Sequence, residues 1–231
     1  MVQEDSNLPF LSKDSLKYSI SRQSMEQKND ISASDSRRYT EYLVEFVTQS
    51  SCAVGIIDMV NSSKISAQIG PEKTARYYQI FLNSMSKIIF SYGGTVIKNI
   101  GDCLLYYFPN SDLEKKDLTM CIECSLEMTR SQKYISERLI SEGLPSIDFR
   151  VSADYGIVLF MNTNVSKGFD IIGSPVNMCS KINRLAAKNQ FVIGGDLFQI
   201  IKEFKIWQFK EISDYSLGFK FSYPVYSVLD K

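Results

Sequence analysis

Two aspartates, Asp58 and Asp102, stand where carboxylates can do chemistry as well as solvate a loop. Asp58 closes the apolar run "CAVGIID" and is followed by "MVNSSKI"; Asp102 sits in the glycine-containing turn of "TVIKNIGDCLLYYF". Either residue taken alone is an ordinary turn or capping aspartate. If the two apolar runs are antiparallel neighbours, however, the end of one lies beside the beginning of the other and the carboxylates meet. Bare carboxylates at close range repel, so such a pair is suited to divalent cations. Oxygen donors of this kind favour Mg2+ or Mn2+, and Mg2+ commonly completes its shell with substrate phosphates. The loop from Met59 to Ser63 leads towards a helix, and its backbone N–H groups could face an anion. Cations and amide donors in one place describe a triphosphate site.

The rest of the composition narrows the chemistry. The chain has no histidine, which removes Ser-His-Asp and Cys-His triads and the commonest neutral-pH proton shuttle. Catalysis must then run on carboxylates, lysines, metals or backbone dipoles. Of the five cysteines, Cys121 and Cys124 have CxxC spacing, but there is no second pair and no histidine to complete a zinc shell. They read as core thiols of a reduced protein. Lys and Arg balance Asp and Glu at 26 each, which argues against gripping a nucleic-acid backbone by bulk charge. No apolar run is long enough to span a membrane and the start lacks the order of a secretory signal, so the expected location is cytoplasmic.

These residues need elements to hold them. Residues 1–38 are rich in Ser, Lys, Asp and Gln without a sustained apolar period, and are expected to be a mobile or partner-dependent extension. Residues 39–231 are expected to form one domain, "SRRYTEYLVEFVTQ" serving as a short helix leading into it. From Ser51 the pattern reads strand, helix, strand, strand, helix, strand. "SCAVGIIDM" is the first strand, and the helix after Pro71 carries Tyr77, Ile80, Phe81, Met85, Ile88 and Ile89 at helical spacing, with Gly93-Gly94 beyond its end. "TVIKN" and "CLLYYF" flank Gly101-Asp102, and one long helix is expected over 112–142. "SIDFRVSADYGIVLFM" reads as two strands broken at Tyr155-Gly156. The order is that of an α+β, ferredoxin-like βαββαβ core, with helices on one face of an antiparallel sheet. In that arrangement strands one and three are central neighbours, which brings Asp58 beside Asp102. "SPVNMCSKINRLAAKN" follows as a helix, "FVIGG" as a strand, "DLFQIIKEF" as a short helix, and then two terminal strands.

"GIIDMVNSSKIS", "GGTVIKNIGDCLLYYF" and "GFDIIGSPVNMCSKI", in that order, resemble the class III nucleotidyl cyclases, the adenylyl and guanylyl cyclase catalytic domains. The resemblance spans roughly residues 50–228. It implies that Asp58 and Asp102 hold two Mg2+ or Mn2+ ions per site, one acting on the ribose 3′-hydroxyl and the other on the β- and γ-phosphates. It implies also that Lys98 and Asp170 select the base, that Asn177 orients the ribose, and that Lys181 stands where the family usually has an arginine for the α-phosphate. Adenine offers an acceptor at N1 and a donor at its exocyclic amine, which suit a lysine and a carboxylate respectively. The implied activity is therefore conversion of ATP to cyclic AMP and pyrophosphate. Metal ligands would come from one protomer and Lys98, Asp170, Asn177 and Lys181 from the other, so that a homodimer has two sites and a monomer none. The N-terminal extension is a candidate region for a regulatory partner.

Several positions depart from the family pattern. Lys181 keeps the charge of an arginine but loses its planar fork. Asn61-Ser62-Ser63 replaces the usual Gly-Phe-Thr or Gly-Phe-Ser, retaining the hydroxyls as substrate-binding candidates. Lys220, in "SLGFKFSYPVYSV", is the candidate for the family's triphosphate lysine. Asp154-Tyr155-Gly156 stands where His-Thr-Gly is common. These departures motivate an alternative reading, a catalytically degenerate cyclase-like domain that binds nucleotide and signals through dimerisation. Two decoys fail. "VIGGDLF" nearly spells a diguanylate cyclase signature but has Leu197 for the glutamate, and "GFDIIGSP" lacks the Lys-Ser/Thr of a P-loop.

Overall fold

A computed structural model of the chain describes residues 42–109, 116–164, 168–212 and 223–229. The centre is an eight-stranded sheet whose middle strands are too apolar to face water on either side. β1 (Val44–Met59) is buried on both faces over residues 52–57, because it lies between β3 (Cys103–Pro109) and β4 (Phe149–Thr163) and carries helices above and below. β2 (Thr95–Ile100) pairs with β3 at one edge. The core order β2-β3-β1-β4, every pair antiparallel, is the expected ferredoxin-like arrangement. Beyond β4 come β6 (Gln190–Gly194), β8 (Val225–Leu229) and β7 (Gln208–Ile212). β6 joins β4 in parallel, so the complete sheet is mixed.

One face is covered by α2 (Pro71–Ser91), α3 (Lys116–Arg130) and α4 (Gln132–Ser141), with α6 (Gly195–Ile201) at its end. Odd-numbered β1 residues, Ala53, Ile57 and Met59, join Tyr77, Phe81, Met85, Leu118, Cys121, Cys124 and Phe149 in this core. Gly55 is required here. A Cβ on it would lie 2.1 Å from the Tyr106 ring, which crosses β1 so that its hydroxyl meets Ser125 Oγ at 3.0 Å. The even-numbered residues Cys52, Val54 and Ile56 face the other way, with Leu105, Val158, Ile171 and Cys179, under α5 (Ser174–Asn183). A short α1 (Ser62–Ile69) bridges β1 and α2. None of the described helices is long and apolar enough to cross a membrane.

Four expectations need correction. The segment expected as a leading helix is strand from Val44 onward. Val44, Phe46, Val47 and Thr48 favour a pleated surface, and β4 supplies partners out to Thr163, with a bulge between Phe46 and Thr48. Leu43 N–H donates to Asn164 Oδ1 at 3.0 Å, closing the arm. Secondly, β4 does not break at Tyr155-Gly156. Both residues stay in register, opposite Ala53 and Cys52, so the long neighbour overrides the local glycine signal. Thirdly, the long helix divides at Ser131 into α3 and α4. Finally, the helix expected over 174–189 ends at Asn183, and "DIIG" before it is a strand, β5 (Asp170–Gly173), on the far half of β4. The N-terminal extension lies outside the described residues.

Candidate active site

The α5 face of the sheet carries the two candidate carboxylates. Asp58 ends β1 on this face and lies in register with Cys103 of β3 on one side and Arg150 of β4 on the other. Asp102 immediately precedes Cys103, after Gly101, whose φ of 63° makes the tight turn that delivers it. Both carboxylates are half-buried. Burial raises the Asp58 carboxyl above the ordinary range, the charge of Asp102 raises it further, and Arg150 and Arg184 pull it back. The two carboxylates therefore do lie close enough to repel. Cys103, between them, is pushed up to about 12 by burial and by both aspartates, so its thiol stays protonated.

Among the described residues no three His, Cys, Asp or Glu side chains gather as a metal cluster. Asp58 and Asp102 alone provide two half-buried, mutually repelling oxygen donors. That donor set fits Mg2+ or Mn2+ with further positions filled by water and phosphate oxygens. Beside it the chain leaves Met59 for α1, whose N-cap Asn61 is left-handed (φ 60°) and supplies no side-chain cap to the first turn. Val60 N–H is pinned to Asp148 O at 2.8 Å. Ser62 and Ser63 thus open α1 next to the carboxylates.

Arg150 and Arg184 are residues that sequence reasoning missed. Arg150 sits directly across from Asp58, and its buried Nε finds no hydrogen-bond partner among the described residues. A guanidinium so placed is suited to an incoming anion. Only the pairing of β1 with a strand some ninety residues later reveals it, and no local signal carries that register. Arg184 comes one turn after Lys181, immediately beyond α5.

Helix α5 is bolted to the sheet by polar groups. Asn183 Nδ2 donates to Ser152 Oγ at 3.2 Å and to Arg150 O at 3.3 Å; Ser152 Oγ donates to Cys179 O at 3.0 Å, and Cys179 Sγ to Val54 O at 3.0 Å. With that side held, Asn177 and Lys181, one turn apart, lie exposed on the helix.

The expected base-selecting residues meet. Lys98 of β2 and Asp170 of β5 are separated in the sheet by β3, β1 and β4, yet Lys98 Nζ donates to Asp170 Oδ2. The other carboxylate oxygen, Oδ1, accepts the N–H of Ile171 at 2.8 Å. β2 and β5 also touch through one apolar cluster, which includes Ile97 and Ile171. Tyr107, Phe160 and Phe169 pack against one another beside it, Tyr107 and Phe160 with ring centroids 5.4 Å apart. Lys220 lies outside the described residues.

A model of the adenylate and guanylate cyclase catalytic domain matches residues 44–223. The chain belongs to this family. The fold agrees: the adenylyl cyclase CyaB of P. aeruginosa superposes with a TM-score of 0.72 at 21% identity, over 83% of this chain and 97% of that one. The guanylate cyclase domain of RhGC from Catenaria anguillulae, solved with GTP, gives 0.71 at 16% identity, over 79% and 98%. A curated relative named cytidylate cyclase, from Staphylococcus aureus, is 23% identical over 148 residues, 61% of this chain and 35% of that protein. The cyclase domain thus spans about a third of that relative's length.

Proposed function

We propose that this cyclase domain converts ATP to 3′,5′-cyclic AMP and pyrophosphate at the interface of a homodimer. The observation that carries the reading is the direct meeting of Lys98 with Asp170 on the same chain that sets Asp58 beside Asp102. The chain is similar to proteins named for adenylyl, guanylyl and cytidylate cyclisation, so the choice of base rests on the side chains that would face it. Asp170 accepts from the exocyclic amine of adenine and Lys98 donates to N1. Guanine would set its carbonyl against the carboxylate and its N1–H against the ammonium.

In the reaction the 3′-oxygen attacks the α-phosphorus, the bond from that phosphorus to the bridging β-phosphate oxygen breaks to release pyrophosphate, and the 3′-hydroxyl proton passes to solvent. Asp58 and Asp102 hold the divalent cations, which when bound supply charge neutralisation at the phosphates and a more acidic hydroxyl. Arg150 and the opening turn of α1, with Ser62 and Ser63, receive triphosphate oxygens. Asn177 orients the ribose and Lys181 offsets charge growing on the α-phosphate. Both stand exposed on α5, consistent with their serving a site completed by the second protomer. The arm supports dimerisation: Tyr42, Leu43, Val44, Phe46 and Val47, with Ile157, Leu159 and Ile172, expose apolar side chains.

The test is purified protein with Mn2+ or Mg2+ and ATP, measuring cyclic AMP and pyrophosphate in equal amounts. Nucleotide binding without product, at concentrations where the protein is dimeric, would overturn the enzyme reading and leave a nucleotide-sensing domain. The replacement of the family arginine by Lys181 is the feature that favours that second outcome.

A further inference from the structure

We infer that the base subsite recognises an amidine edge, not a purine, so that CTP enters alongside ATP while GTP and UTP are refused. The inference rests on the cyclase reading and concerns the same Lys98–Asp170 pair. Asp170 Oδ1 is turned back onto the Ile171 N–H, which makes Oδ2, already facing Lys98, the oxygen that lies next to the ammonium for a ligand. A carboxylate oxygen can accept a second hydrogen bond, and an ammonium with one donor used has two remaining. The pair therefore presents one donor and one acceptor, side by side and touching.

The complement of that pair is an acceptor beside a donor on adjacent atoms, as in N=C–NH2. Adenine has it at N1, C6 and the 6-amine. Cytosine has the same group at N3, C4 and the 4-amine. Guanine and uracil carry the reverse, a lactam with N–H beside C=O, which puts hydrogen against ammonium and carbonyl against carboxylate. With the ribose and phosphates anchored elsewhere, the base cannot exchange the two positions. The pair thus separates A and C from G and U, and ring size is a different matter.

Lys98 supplies the tolerance of ring size. Its side chain is 42% exposed against 20% for Asp170, and its four-carbon stem is flexible. A pyrimidine edge sits nearer the ribose than a purine edge, and a half-exposed lysine can follow it. The cost falls on CTP relative to ATP, expected to be within about tenfold. Between CTP and UTP, equal in size and opposite in edge, discrimination of about 10- to 100-fold is expected from a two-point polar contact.

The experiment separates base recognition from turnover. The full chain in Mn2+ is titrated by calorimetry with the 3′-deoxy triphosphates of all four bases, which bind but lack the hydroxyl that cyclises. The inference expects 3′-deoxy-CTP to bind at least about tenfold tighter than 3′-deoxy-UTP, and 3′-deoxy-ATP likewise over 3′-deoxy-GTP. In Asp170→Asn, whose amide both donates and accepts, the CTP-to-UTP ratio should collapse towards one; Lys98→Gln should act in the same direction. Equal binding of the two pyrimidines overturns the inference, as does binding of the adenine analogue alone or of no analogue at all. Turnover of the four ribonucleotides is read separately. Cyclic product from none defeats the cyclase reading, while the pyrimidine ratio still decides the recognition rule.

Discussion

On the α2–α3 side of the sheet almost every inward residue is apolar and fully enclosed, from Tyr77 and Phe81 to Cys121 and Phe149. On the α5 side the same strands present Asp58, Arg150, Ser152 and Asp154, and hydrogen bonds hold the helix there. The two faces share their strands and differ by one residue of register, since the side-chain period in a strand is two. The first face is built to exclude water and to supply stability. The second keeps polar groups half-buried, as Asp58 and Arg150, or fully enclosed, as Ser152 and Asp154, where they interact strongly with charge and cost stability when unpaired.

Substitutions that separate stability from activity put this contrast at risk. Asp58→Ala should show the largest effect, a loss of cyclase activity on the order of 10³-fold, with thermal stability unchanged or raised because a half-buried carboxylate repelled by Asp102 is removed. A variant keeping full activity would break the metal assignment. Gly55→Ala should do the opposite. Its Cβ enters the Tyr106 ring, so unfolding free energy should fall by about 1–3 kcal/mol, with activity per folded molecule retained.

Asp154 sharpens the comparison through pH. It is 1% exposed, accepts from Tyr223 Oη at 2.7 Å and from Leu197 N–H at 3.3 Å, and burial holds its carboxyl at about 6. An exposed aspartate titrates near 3.9. The folded state therefore binds this proton more tightly than the unfolded chain. Its stabilising effect is complete below about pH 4 and is lost as pH rises through about 6, amounting to about 2–3 kcal/mol. Asp154→Asn should flatten that part of the profile of melting temperature against pH. The smallest effect belongs to Arg76→Ala. The Arg76–Glu142 pair, at 2.6 Å and 2.8 Å, lies on the outer surface of α2, where water screens it, and its loss should move the melting temperature less than any change above.

What could be read from sequence divides along similar lines. The α2–α3 face was legible, because helical spacing from Tyr77 to Ile89 and the Pro71 and Gly93-Gly94 punctuation are local signals. Asp58 beside Asp102 was legible through the strand order, whereas the meeting of Lys98 with Asp170 was not, since β3, β1 and β4 stand between their strands. Arg150 was not, since its role comes from facing Asp58 across a long-range ladder. Nor was the strand character of Val44–Ser50, where exposed apolar residues carry no helical or alternating period of their own. Tyr155-Gly156 misled for a related reason: glycine marks a break only when no neighbouring strand holds the backbone extended.

The β1–β4 ladder joins Val44 to Thr163 at one end and Met59 to Phe149 at the other, whereas β3 begins at Cys103. Closing the longer loop costs more chain entropy and rewards it only afterwards. During synthesis the hairpin bearing Asp102 can therefore dock on β1 well before Arg150 has been made. The carboxylate half of the site is thus complete in the chain by Cys103, and its cationic neighbour Arg150 is supplied only with β4.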